Sequence, residues 1–146
     1  MPVLSLSGRP ATEPASFFRP EGLRDAAVGV GPLALDLDNT ADATALEPML
    51  SRLGLVRIAF PGFSDGRGFS LARRLRQLGY RGRLRAAGRV IPDQRAALLG
   101  SGFDEVELSA EDLDRLGGTG VWTVPVAETP FRRRRGRSAT PRATAA

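Results

Sequence analysis

Four short segments of this 146-residue chain share one pattern: an apolar face and a polar or charged face that alternate residue by residue. Leu33, Leu35 and Leu37 alternate with Ala34, Asp36 and Asp38, and Val56, Ile58 and Phe60 alternate with Arg57 and Ala59. Leu84 and Ala86 flank Arg85, and Val106 and Leu108 alternate with Glu105 and Glu107. A period of two is that of a strand with one face in the core. The stretches between carry helical spacing instead: Leu46, Met49, Leu50 and Leu53, then Leu71, Leu75 and Leu78, then Leu98 and Leu99. Strand and helix thus alternate four times over short connections, which predicts parallel strands joined by right-handed crossovers.

The second face of the strands decides the architecture. Strands of a doubly wound sheet are covered on both sides and read as nearly continuous apolar runs. Here Asp36, Arg57, Arg85 and Glu107 occupy one side. The expected fold is therefore α/β, with four βα units, a parallel sheet and helices on one face, like half of a (βα) barrel. A three-layer α/β sandwich is the alternative. Desolvating such charges singly is expensive, so the acids of the outer strands should pair with the arginines of the central two. A half barrel also leaves bare strand edges, which favours a homo-oligomer or a partner.

Local signals refine this. A helix begins close to Pro48 and ends at Gly54; a second follows the loop 61–68 and runs to about Leu78, with Arg73, Arg74 and Arg76 on a solvated face. Pro92 opens a third, which Gly100 and Gly102 end. Ser109 caps a short helix through Leu116, and 121–126 is a last extended segment. Residues 1–30, with Pro2, Pro10, Pro14 and Pro20, form an irregular arm anchored by Phe17 and Phe18. The α/β domain spans 31–128, and 129–146 is a disordered basic tail.

Composition narrows the chemistry. With no cysteine and no histidine, the chain lacks disulfides, thiolate-held clusters, the usual zinc ligand and the usual general base. The net charge of +5 comes from 21 arginines and no lysine against 16 acids. Six of the arginines lie after Phe131, where there is no acid, so the body carries fifteen against sixteen. The basic character belongs to the tail, which weighs against a nucleic-acid-binding domain. The tail's run from Arg132 to Arg137 leaves nucleic acid as a lesser alternative. No apolar run approaches a membrane span and no secretory signal opens the chain, so the expected setting is cytoplasmic, without a membrane partner.

The candidate site is the loop after the second strand, Asp65-Gly66-Arg67-Gly68, just before a helix. Ligands of α/β folds bind beyond the carboxyl ends of the strands. Glycines admit an oxyanion to backbone N–H groups, and a helix start adds positive potential. Arg67 has the fork to clamp a phosphate, sulfate or carboxylate. Ser70 and Arg85, with Gly88 after the third strand, complete the predicted ligand-binding set. The alternative is a self-contained loop in which Asp65 caps the helix and Arg67 pairs with an acid. Asp36 and Asp38 share a strand face as metal ligands would, but read better as two solvated carboxylates; no metal is assigned. No catalytic residue or cofactor is assigned, although a flavin or nicotinamide held by backbone contacts is compatible.

The run Phe60-Pro61-x-Phe63-x-Asp65-Gly66-Arg67-Gly68-x-Ser70-x-Ala72-Arg73 resembles a bacterial family, domain-of-unknown-function family nine hundred and thirty-four. Gly79-Tyr80-x-Gly82, Leu84-Arg85-Ala86, Asp93-Gln94 and Gly102-Phe103-Asp104 extend the likeness. Arg83 and Arg89 depart from it, standing where the family usually has Glu and Asp. Members often carry the label of probable oxidoreductases of sulfite reduction, from the company their genes keep. The resemblance implies an accessory protein of reductive sulfur assimilation, with a small anionic ligand and a sulfite or nitrite reductase as the expected partners. Docking through the arginine-rich helix is an alternative role.

Overall fold

The computed structural model describes residues 2–22 and 32–122. One sheet holds five strands: β1 (Val3–Ser5), β2 (Leu33–Leu37), β3 (Leu53–Phe60), β4 (Arg83–Gly88) and β5 (Glu105–Glu107). Their spatial order is β1-β5-β4-β3-β2. Strands β2 to β5 are parallel, each beside its predecessor in the chain; β1 alone is antiparallel, with Val3 opposite Glu107. Sequential parallel order with right-handed crossovers places every crossover on the same side. The helices are α1 (Arg67–Gln77), α2 (Arg95–Ser101) and α3 (Ala110–Arg115).

The core lies between sheet and helices. Leu35, Leu37, Val56, Ile58, Phe60, Leu84, Ala86 and Val106 meet Leu71, Ala72 and Leu75 of α1 and Leu98 of α2. This is the mixed α/β arrangement that the alternation predicts. On the other face the charges stand in register: Asp36 opposite Arg57, Arg57 opposite Arg85, Arg85 opposite Glu105. Arg57 Nε donates to Asp36 at 3.0 Å, and Arg85 Nε to Glu105 at 2.7 Å. The two neighbouring arginines are reconciled by Glu107, whose Oε1 accepts from Arg57 Nη1 at 3.3 Å and from Arg85 Nη1 at 2.8 Å. Acids outside and arginines inside is the predicted order of pairing.

Residues 2–22 do more than the sequence suggests. The chain starts as β1 on the open edge of β5 and then crosses the charged face. Arg83 donates to the carbonyls of Pro10 and Thr12 at 3.2 and 2.7 Å, and Glu13 lies against Arg85. The Phe17 ring packs 3.7 Å from the Arg57 guanidinium. Phe18 then bridges to the far edge: its N–H donates to Ala34 O, and Asp36 N–H donates to Phe18 O, both at 2.8 Å. The expected bare edges are thus met by the chain's own amino-terminal segment at both ends of the sheet.

Several local expectations are corrected. The β2–β3 connection is a 3-10 helix, Thr44–Arg52, with Pro48 inside it, and Gly54 lies within β3. Pro48 has no N–H to donate and its ring crowds the carbonyl four residues back, which disfavours an α-helix there. Pro92–Gln94 is a separate 3-10 turn before α2; Gly100 is inside α2, and Gly102 alone ends it, at φ 105°. Val121 and Trp122 belong to a 3-10 turn, not an extended segment. The remainder of that segment and the basic tail lie outside the described residues. Ser109 caps α3 as expected, its Oγ accepting from Asp112 N–H at 3.0 Å.

Candidate functional site at the carboxyl rim

The parallel strands direct their carboxyl ends to one rim. β2 delivers Asn39, β3 the loop 61–66, and β4 Gly88 and Arg89. Asn39 Nδ2 donates to Asp65 Oδ2 at 2.8 Å, and Gln94 Nε2 donates to Phe63 O at 2.7 Å, fixing the loop from both sides.

The predicted loop supplies its own anion. Asp65 Oδ1 accepts from the backbone N–H and from Nε of Arg67, and Oδ2 accepts from Nη2, each at 3.1 Å. The Asp65 carboxylate thus takes the place that an incoming oxyanion would occupy. The Arg67 guanidinium and backbone, then Asn39, lower its pKa from 3.8 to about 2. Arg67 remains 64% exposed, so the pair is accessible although closed on itself. Gly66 precedes α1 with an ordinary φ of −84°. Ser70 is exposed on the first turns of α1.

Gly68 and Gly88 answer to Phe60. A Cβ at Gly68 would fall 2.5 Å from the Phe60 ring. Gly88 has φ +119°, and a Cβ there would lie 2.6 Å from the Phe60 carbonyl oxygen, which accepts from Arg89 N–H at 2.8 Å. Gly68 lets α1 close on the Phe60 ring, and Gly88 lets β4 and its exit close on the Phe60 backbone. Arg85 is apart from all of these, buried in the middle of β4 on the arm's side of the sheet. The structure therefore brings Asp65, Gly66, Arg67, Gly68, Ser70 and Gly88 to one rim and places Arg85 elsewhere. Asp36 and Asp38 are taken by Arg57 and Arg19. Among the described residues, no three acidic side chains gather as metal ligands would.

Sequence reading missed the concavity beside this loop. A cleft of about 110 Å³ lies among Phe63, Arg89, Val90, Ile91, Asp112 and Leu116. It shares Ile91, Arg115 and Leu116 with a wider open groove that reaches Val121. Phe63 is 58% exposed. Arg115 is tied to Asp112 at 2.7 Å, and that contact, followed by the Ser109 cap, lowers the Asp112 carboxyl. Among the described residues the Arg89 side chain has no hydrogen bond or ion pair, in contrast to Arg67, Arg76, Arg83 and Arg85. The available signal was Phe63 itself, a large apolar residue in a Pro/Gly loop with no periodicity to recruit it inward.

Fold and rim together define a small mixed α/β protein with a five-stranded, mostly parallel sheet and a cleft at the carboxyl ends of its parallel strands. The chain belongs to a family of bacterial proteins of unknown function, DUF934, whose profile matches residues 34–117. The match runs from β2 past α3 and leaves β1 and the covering arm outside it. No curated protein matches the chain. No helix among the described residues is long and apolar enough to cross a membrane.

Proposed function

We propose that this protein is an accessory factor of reductive sulfur assimilation that binds a small ligand bearing an oxyanion or phosphate at the carboxyl rim of its sheet. One observation carries the binding site: Arg89, exposed and with no side-chain hydrogen bond or ion pair among the described residues beyond its longer-range attraction to Asp112, stands at a cleft walled by Phe63, Ile91 and Leu116. A guanidinium whose N–H groups are not engaged offers two of them in parallel to an oxyanion, and the apolar wall takes the rest of the ligand. Asp65 holds and neutralises Arg67, so Arg89 does the holding. The sulfur assignment rests on the family resemblance.

The test is titration of ¹⁵N-labelled protein with sulfite, sulfate and phosphate. Amides of Phe63, Arg89 and Ile91 should shift along one saturable curve. Arg89→Ala should weaken binding about tenfold, or ~1.4 kcal/mol. Absence of saturable shifts at these amides removes the site. Growth of a deletion strain on sulfate and on cysteine tests the pathway; equal growth on both removes it.

A second reading has its own support. Arg73 and Arg74 on α1 are exposed and, among the described residues, have no side-chain partner. They suit docking against an acidic surface of a sulfite or nitrite reductase. Arg73→Glu with Arg74→Glu should abolish such an association and leave the rim titration unchanged.

A further inference from the structure

Arg85 has a side-chain exposure of 0%. Two parts of its guanidinium are committed within the sheet: Nε to Glu105 at 2.7 Å, and Nη1 to Glu107 at 2.8 Å. The outer edge, formed by Nη1 and Nη2, faces the arm. Glu13 lies there, with Oε2 3.3 Å from Nη1 and Oε1 3.0 Å from Nη2. The Nη2 approach is a close ionic contact without hydrogen-bond alignment, and Nη2 is buried with no hydrogen bond among the described residues.

Glu13 differs from the other acids of this face. Glu105 and Glu107 sit on β5 and are buried, whereas the Glu13 side chain is 60% exposed and belongs to irregular chain. Without Glu13, Arg57, Arg83 and Arg85 already balance Asp36, Glu105 and Glu107. Glu13 is therefore not required for neutrality. It also lines a cavity of about 230 Å³ between arm and sheet, together with Thr12, Ala34, Leu55 and Arg83. The arm is fastened on either side of it, by Arg83 to Thr12 O and by Phe17 on Arg57. The carboxylate can leave while those fastenings stay.

We infer that the outer edge of Arg85 is a second anion site, for a carboxylate or a tetrahedral oxyanion, and that Glu13 occupies it as an internal stand-in for the ligand. Two N–H groups of a planar guanidinium donate to either species in the same bidentate way. The buried setting strengthens the contact relative to one in water. A free anion binds by exchange with Glu13, so its apparent affinity is reduced by the fraction of molecules in which Glu13 is bound.

The experiment is a sulfate titration at constant ionic strength, read at the Arg85 Nε–H resonance and at the amides of Thr12 and Phe17. With Glu13 in place about nine-tenths of the time, Glu13→Gln should bind sulfate about tenfold more tightly than the unaltered chain. Equal affinity in the two proteins overturns the proposal. So does a Glu13→Gln titration in which only Phe63 and Arg89 respond, an outcome that leaves the rim site intact. A response at Arg85 with none at Arg89 does the reverse. Should Glu13→Gln loosen the arm, amide exchange at Phe18 and Asp36 will report it, and sulfate must restore the protection; failure to restore it also overturns the proposal.

Discussion

Phe60 ends β3 with its ring centroid 5.3 Å from that of Phe69 and 5.6 Å from that of Phe103, both edge-on. Gly68 lies against the same ring and Gly88 against the Phe60 backbone, and a side chain at either forces something to shift. Gly88→Ala forces a strained φ and a clash with a backbone oxygen, so it should cost about 2–3 kcal/mol, read as a fall in the denaturant midpoint at constant m. Gly68→Ala meets a movable ring and should cost less, about 1–2 kcal/mol. The loop's glycines were legible in the sequence as a motif, but their cause was not. Contacts between residues eight and twenty-eight positions apart exist only once α1 has packed on β3 and β4 has paired with it. Asp65 gives a pH prediction at the same scale. Its folded pKa of about 2 lies below the ordinary 3.8, so its contribution is complete above about pH 5 and is lost progressively as pH falls through 4 towards 2. Asp65→Asn should remove that part of the acid dependence, measured by unfolding curves between pH 2 and 6.

The elements show which patterns a sequence carries openly. Strands β2 to β5 were readable because period-two alternation reflects a sheet with two unlike faces, one apolar against the core and one charged. The 3-10 connection was less so, because Leu46 and Leu50 sit four apart as they would in an α-helix, and both are buried. The arginines of α1 were the least legible, since sequence spacing treats all residues off the apolar stripe as solvated. Arg76 donates all five of its N–H groups, to the carbonyls of Tyr80, Gly82 and Gly102 and to Asp104. It ties the end of α1 to the start of β4 and to the turn before β5. Arg76→Met should therefore cost about 3 kcal/mol, whereas Arg73→Ala should stay within ~0.5 kcal/mol. Chemical denaturation of the two variants side by side checks the contrast. The rim cleft was invisible for a related reason: its walls come from the β3–α1 loop, the β4–α2 connection and α3, which no local pattern brings together.

At the scale of the whole molecule, the amino-terminal segment closes the sheet. It supplies an antiparallel strand to β5, a cover for the charged face and a backbone bridge to β2. Only β1, three residues long, then remains as an outer edge on that side. Removing residues 2–9 uncovers β5 and takes away Arg9, which reaches Asp104 at 3.3 Å. The truncated chain should self-associate, giving a larger mass by light scattering than the full chain at equal concentration. The pairing of Val3 with Glu107 carries one more consequence. On the ribosome the first strand emerges roughly 100 residues before its partner, and at ~5–20 residues per second it waits about 5–20 s. The βα units can condense in the order in which they are made, and β1 joins only once β5 exists, so completion of the sheet waits on the synthesis of its last parallel strand.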